Sequence, residues 1–101
     1  MPGAERIAPL RLAVSERRKV RLTYVDGSGA RSVRTVRPLE MESWANAWTL
    51  TAWCEVRRDF RVFCLDRIDA LDLTDARFRD EAGKRLGDYL ASMKAPPEDD
   101  T

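Results

Sequence analysis

The stretch Ala47-Trp48-Thr49-Leu50-Thr51-Ala52-Trp53-Cys54-Glu55, followed after the polar Arg57-Arg58-Asp59 by Phe60-Arg61-Val62-Phe63-Cys64-Leu65, decides the fold. Apolar and polar side chains alternate with period two along the first run, and the second run returns after a turn, so the two read as a β-hairpin. A turn centred on Arg57-Arg58 sets Glu55 opposite Phe60 and fixes the remaining register. One face then carries Trp48 beside Arg67, Leu50 beside Leu65, Ala52 beside Phe63 and Cys54 beside Arg61. The other carries Thr49 beside Asp66, Thr51 beside Cys64 and Trp53 beside Val62. The first is the core face, with Arg61 and Arg67 at its two ends, their stems buried and their guanidinium groups brought out at the rim. Thr49 and Cys64 become diagonal neighbours on the second face.

Upstream, Ile7, Leu10 and Val14 recur at helical spacing, Pro9 suits a first turn, and Arg17, Arg18 and Lys19 collect where a helix C-terminus favours cations, which predicts a helix over 8–18. Val20, Leu22 and Tyr24 then alternate with Lys19, Arg21 and Thr23 up to the turn Asp26-Gly27-Ser28-Gly29, the first half of another hairpin. On its return strand Val33 and Val36 have opposite parity, which predicts a bulge near Arg34. Pro38 belongs at a strand break, Leu39 and Met41 continue inward, and a turn falls at Trp44-Ala45-Asn46-Ala47. Downstream, Ile68, Leu71 and Leu73 make a last short strand. Thr74 or Asp75 is then placed to cap a helix over 76–94, weakened by Gly83 and Gly87, before a Pro-broken acidic tail over 96–101 that is expected to be disordered. Five short strands between two helices fit an α+β, mainly β fold: a small, strongly bent five-stranded barrel over 19–73.

The chain's 101 residues suffice for one domain, here 1–95, which buries roughly 60 to 65% of the surface of its unfolded form. No uncharged apolar run reaches the ~18 residues a bilayer needs, and Met1-Pro2-Gly3-Ala4-Glu5-Arg6 does not open like a secretory signal, so a cytoplasmic location is expected. Histidine is absent, which removes the commonest general base and metal ligand, and the two cysteines, Cys54 and Cys64, cannot close a four-ligand zinc site alone. The two thiols fall on opposite faces, roughly 10 Å apart by strand rise against a usual Cα limit of about 7 Å, and are expected to be free. The single Gly27-x-Gly29 sits in a hairpin turn with no helix behind it, so no phosphate loop and no enzyme is expected. Residues 11–67 hold twelve Lys/Arg against seven Asp/Glu, while 68–101 hold five against nine, so any anion-binding surface belongs to the first block.

Four fragments taken in order resemble the WYL domain of bacterial transcription regulators: Ser15-Glu16-Arg17-Arg18-Lys19-Val20-Arg21-Leu22-Thr23-Tyr24, Val36-Arg37-Pro38-Leu39, Trp48-Thr49-Leu50, and Phe60-Arg61-Val62-Phe63-Cys64-Leu65-Asp66-Arg67-Ile68. The resemblance covers residues 7–78 and implies an Sm-like or SH3-like barrel behind a helix. In such regulators it usually follows a winged helix-turn-helix domain and is thought to bind a regulatory ligand, with nucleotides and single-stranded nucleic acid as candidates. The chain departs from the family at two places: Thr49 stands where the naming tripeptide has tyrosine, and Cys64 where an arginine usually follows the phenylalanine. Tyrosine and arginine there can stack a base and hold its phosphate, whereas threonine and cysteine do neither, so the family's site is altered.

The resemblance makes Arg61 and Arg67 the first candidates for ligand contact, with ion pairs to Asp59, Asp66 or Asp69 as the competing structural role. Thr49, Trp53 and Cys64 complete the second face. There Trp53 is either a stacking platform or packing beneath a helix, and Cys64 is either an inert thiol or, beside cations, a redox-sensitive one. Tyr24 packs at the barrel end and is a candidate to offer its hydroxyl to a ligand, while Arg34, Arg37, Arg57 and Arg58 are exposed charges that together make a nucleic-acid-facing surface. The functional expectation is a ligand-sensing regulatory module without cofactor or membrane contact, whose partners are a nucleotide or single strand and a separate DNA-binding regulator protein. The competing expectation is an interaction module whose exposed strand edges form a homodimer.

Overall fold

A computed structural model describes residues 3–45 and 47–94; the acidic tail lies outside them. A 3₁₀ turn at Ala4–Arg6 leads into helix α1 (Ile7–Glu16), which buries Leu10 and Ala13 and ends where Arg17 turns left-handed, at φ 52°. Five antiparallel strands follow: β1 (Arg18–Val25), β2 (Arg31–Trp44), β3 (Ala47–Cys54), β4 (Asp59–Cys64) and β5 (Ile68–Arg77), with a 3₁₀ turn at Leu65–Arg67 before β5. Helix α2 (Leu86–Lys94) comes last.

The strand order is β4-β3-β2-β1-β5, in one sheet. No ladder joins β4 to β5 among the described residues, so the sheet is open where the sequence predicts a closed barrel. Near that gap the Cys64 N–H at the end of β4 donates to the hydroxyl of Tyr24 on β1 at 3.0 Å, so a side chain ties the fourth strand to the first. The core fills the inner face of the sheet beneath α1: Val20, Leu22 and Tyr24 from β1, Val36 from β2, Leu50, Ala52 and Cys54 from β3, Phe63 from β4, and Leu65 and Ile68.

Three expectations shift. The β1–β2 ladder runs unbroken from Val20↔Val36 to Val25↔Arg31, so there is no bulge near Arg34, and Val33 simply points outward, 62% exposed. The irregularity falls instead between Pro38 and Glu40 in the β2–β3 ladder, where proline has no N–H to give and the extra residue, Leu39, is left unpaired. This bulge inverts parity along β2: Arg37 faces outward before it, and Glu40 and Glu42 face outward after it.

The β3–β4 hairpin pairs Cys54 with Asp59 and Thr49 with Cys64, two residues short of the predicted alignment. Arg58 takes a left-handed φ of 55° and donates its N–H to the Cys54 carbonyl at 2.8 Å, so the four-residue turn spans 55–58, centred one residue earlier than Arg57-Arg58. A slip of two keeps every side chain on its face. Arg67 consequently lies in the 3₁₀ turn and not beside Trp48.

The third shift concerns the C-terminal helix. The predicted span 76–94 begins as sheet, because Arg77 pairs with Arg18 and the Thr74 hydroxyl donates to the Lys19 carbonyl at 2.7 Å instead of capping a helix. Gly83 at φ 88° blocks an earlier start, and the Asp88 carboxylate gathers the N–H groups of Gly83 and Arg85 at the helix entrance.

Gly3 shows how closely the N-terminal turn sits on the second 3₁₀ turn: at φ 83°, a Cβ there would stand 2.7 Å from the Leu65 carbonyl carbon. Gly3→Ala is therefore expected to cost about 1 to 2 kcal/mol, combining left-handed strain with a backbone clash, and to raise amide exchange over residues 4–6. A melting temperature and exchange pattern equal to those of the unaltered chain would contradict this docking.

Candidate functional site

The inner wall carries one continuous run of candidate residues. The Arg61 guanidinium lies 5.9 Å from the centre of the Phe63 ring, and Phe63 meets Tyr24 edge-to-face with centroids 5.0 Å apart. Tyr24 in turn accepts the Cys64 N–H, and the charge of Arg67 acts on Tyr24 and on Asp26 in the β1–β2 turn. Burial, foremost, together with the neighbouring Cys64, raises the Tyr24 phenol above its ordinary value, so it stays protonated at neutral pH and keeps its O–H as a donor. Hydrogen bonds from the Ser28 side chain and backbone and from the Ala30 N–H lower the Asp26 carboxyl, which keeps that turn anionic.

Arg61 is half-buried and, among the described residues, has no carboxylate within ion-pair distance; the same holds for the exposed Arg67. The competing structural role for these two arginines required such pairs, but Asp69 is taken by Arg31 at 2.6 Å. Arg67 helps to line a cleft of about 280 Å³ with Val25, Asp66, Ile68 and Asp69. Arg34 approaches the same inner wall: its Nε donates to Ser32 Oγ at 3.0 Å and its Nη1 lies 3.8 Å from Cys54 Sγ.

Arg37 is a correction. It is not an exposed charge on a shared anion surface but 8% exposed, held by Glu55 through Nε and by Glu81 through Nη1 at 2.8 Å, with the Phe78 ring 5.9 Å away. Burial alone lowers its basicity, but the two carboxylates outweigh that and raise it. Glu55 also pairs with Lys19 at 3.5 Å. Arg37's charge is thus neutralised internally. Arg57 and Arg58 are exposed on the β3–β4 turn, Arg58 beside Trp53, Glu55 and Lys84 around a second cleft.

The outer face is built in cross-strand rows. Glu42, Thr49 and Cys64 form one, Glu40, Thr51 and Val62 the next, and Arg37, Trp53 and Phe60 the third. Thr49 and Cys64, the two departures from the family pattern, therefore face each other directly rather than diagonally. Trp53 packs edge-to-face on Phe60 at 5.1 Å, Phe60 meets Tyr89 of α2 at 5.4 Å, and the Lys84 ammonium sits 5.6 Å from the Trp53 ring. Trp53 is accordingly engaged by the segment that leads into α2. Both cysteines are free, on opposite faces, Cys54 buried and Cys64 half-buried. Among the described residues no group of three acidic or sulfur side chains is placed to hold a metal ion, and no helix is long and apolar enough to cross a membrane.

Sequence reasoning passed over Phe60, Tyr89, Glu40, Glu42 and Trp44 on this outer face. The period-two series Glu40, Glu42, Trp44 carried the signal, but its face was settled only by the bulge at Leu39.

The family model described as the WYL domain matches residues 5–73. The chain belongs to the WYL domain family. A relative of this WYL domain, the uncharacterized HTH-type transcriptional regulator YobV of Bacillus subtilis (strain 168), is 36% identical over 59 residues, which are 58% of this chain and 19% of that protein. Among solved structures, proteasome accessory factor B/C (PafBC) of Arthrobacter aurescens superposes with a TM-score of 0.71 at 28% identity, over 77% of this WYL domain chain and 12% of its own. The WYL domain chain thus spans about a fifth or less of the length of each of these two proteins.

Proposed function

We propose that this WYL domain is the ligand-sensing module of a bacterial transcription regulator and that it binds an anionic ligand, a nucleotide or single-stranded nucleic acid, at the rim of the inner wall, where Arg61 and Arg67 reach the surface. The observation that carries the reading is the run Arg61–Phe63–Tyr24: a guanidinium with no carboxylate partner among the described residues, set against an aromatic pair. Family membership and the HTH-type name of a relative support the regulatory part. In this reading the open sheet is an Sm-like barrel left unlatched between β4 and β5, Arg67 and Arg34 extend the cationic wall, and the Tyr24 O–H donates to the ligand. In this reading promoter contact belongs to a DNA-binding part of the regulator, and the setting is the cytoplasm. The unpaired edge of β4 favours a second reading, a homodimer through strand addition, which a concentration-dependent sedimentation coefficient would support.

The test is an amide chemical-shift titration with a short oligothymidylate and with a duplex of equal length. The single strand is expected to bind with a micromolar or weaker dissociation constant, more tightly than the duplex, with an affinity that falls as salt rises. Arg61→Ala is expected to weaken binding about tenfold, since a hydrogen bond to a charged group contributes about 1.5 kcal/mol. Equal affinity for duplex, or an Arg61→Ala chain that binds like the original, would overturn the assignment.

A further inference from the structure

Four large apolar side chains that stand exposed, Trp44 (58%), Val62 (45%), Leu90 (42%) and Met93 (65%), line a single cleft of about 240 Å³ between the outer face and α2. Scattered apolar residues on a surface are ordinary, but four around one concavity mark a place built to be covered. The cleft exists because the floor is short: Thr49 and Thr51 stand in adjacent rows of β3, and Tyr89, held on Phe60, props the helix above them.

Its charged groups are both acidic. Glu40 and Glu42 form the rim on the β2 side, and among the described residues neither has a basic side chain within ion-pair distance. In the floor, the Thr49 side-chain oxygen is shut off from solvent and makes no hydrogen bond. A buried oxygen without a partner is costly. The cleft is lined by no arginine or lysine, so an anion finds repulsion there. Two carboxylates beside the aromatic side chains of Trp44 and Tyr89 are instead the chemistry that recognises an ammonium group on an apolar body.

We propose that this cleft binds a small organic cation, a primary or secondary ammonium carried on an aromatic or apolar skeleton. The ammonium sits between Glu40 and Glu42, while the skeleton covers Val62, Leu90 and Met93 against the Trp44 ring. This site is separate from the inner wall, on the opposite face of the sheet. It stands or falls independently of nucleotide or single-strand binding there.

The experiment uses the full chain and 2-phenylethylammonium as probe, with 2-phenylethanol and 3-phenylpropionate as neutral and anionic controls, followed by amide shifts and tryptophan fluorescence. The ammonium is expected to bind with shifts confined to residues 40–44, 49–51, 62 and 89–93, the alcohol about fivefold more weakly, and the carboxylate not measurably. Glu40→Gln with Glu42→Gln is expected to bring the ammonium down to the alcohol's affinity. Thr49→Val keeps the shape and removes a buried oxygen without a partner, so it is expected to leave ammonium binding unchanged and the melting temperature equal or higher. Equal binding of the three probes, shifts centred on Arg61 and Arg67, or probe binding unchanged in the double glutamine variant would overturn the proposal. So would concentration-dependent changes at the cleft in the free protein, which would make a second copy its occupant.

Discussion

Phe63→Ala is expected to remove about 3 to 5 kcal/mol of stability and to move the urea midpoint to a small fraction of its original value. Phe63 is the largest fully buried side chain, paired across the sheet with Leu50 and set edge-to-face against Tyr24. Its loss removes the transfer free energy of a ring and leaves a hole that its neighbours cannot close, because Leu50 and Leu22 are themselves fixed on paired strands. It also withdraws the ring that positions Tyr24, whose hydroxyl takes the Cys64 N–H at the open seam. Domains of this size have stabilities of about 5 to 15 kcal/mol, and an open sheet with a core of twelve buried hydrophobic residues belongs toward the lower end, so the variant approaches the unfolding threshold at room temperature. Phe63→Leu should recover most of the loss, because it refills the volume. Equal midpoints for Phe63→Ala and the parent would mean that the inner wall is not the core.

How far the sequence reveals this structure depends on the range of the interaction involved. Val20, Leu22 and Tyr24 alternate over a few residues, and their burial follows from that pattern alone. The β3–β4 register lies two residues from the expected one, since the position of the turn depends on a left-handed Arg58 that no local preference announces. Even so, Thr49 and Cys64 were assigned to one face, because a slip of two conserves parity. The C-terminal helix misleads for the opposite reason. Phe78 and Ala82 match a helical period, but β5 runs to Arg77 through its pairing with β1, 44 to 59 residues earlier in the chain, the Phe78 N–H still donates to the Arg17 carbonyl, and left-handed Gly83 follows. In the sequence Glu40 and Glu42 show nothing beyond their period-two spacing. Only the bulge at Leu39 and the arrival of α2 turn them into the rim of a cleft. Arg37 was unreadable for the same reason, since one of its partners, Glu81, lies 44 residues away.

Arg37→Ala is expected to destabilise the chain by about 2 to 3 kcal/mol at neutral pH and much less in acid. The side chain is 10% exposed and its partner Glu55 is 30% exposed, so removing the guanidinium leaves a carboxylate without its main counter-charge in a place water reaches only partly. Breaking a fully buried pair costs about 3 to 5 kcal/mol, and the lower figure here reflects Lys19, which stays beside Glu55, and the partial access of solvent. Burial by itself would raise the Glu55 carboxyl, but the hydrogen bond and charge of Arg37, aided by Lys19, outweigh it and lower the group. The Arg37 and Lys84 hydrogen bonds likewise lower Glu81, which is exposed and contributes chiefly by positioning the segment that carries it. Because a carboxylate lowered on folding binds fewer protons in the folded state, its contribution is complete above the unfolded carboxyl value of about 4.5 and disappears as pH falls through the lower folded value. Urea denaturation of parent and variant at neutral pH and again near pH 3 should therefore show the gap between them narrowing in acid. A gap independent of pH would assign Arg37's contribution to packing on Phe78 rather than to the ion pairs. The same substitution frees the Phe78–Lys84 segment at one end, so Trp53 fluorescence should change with it, since Lys84 leaves the indole when Glu81 is released.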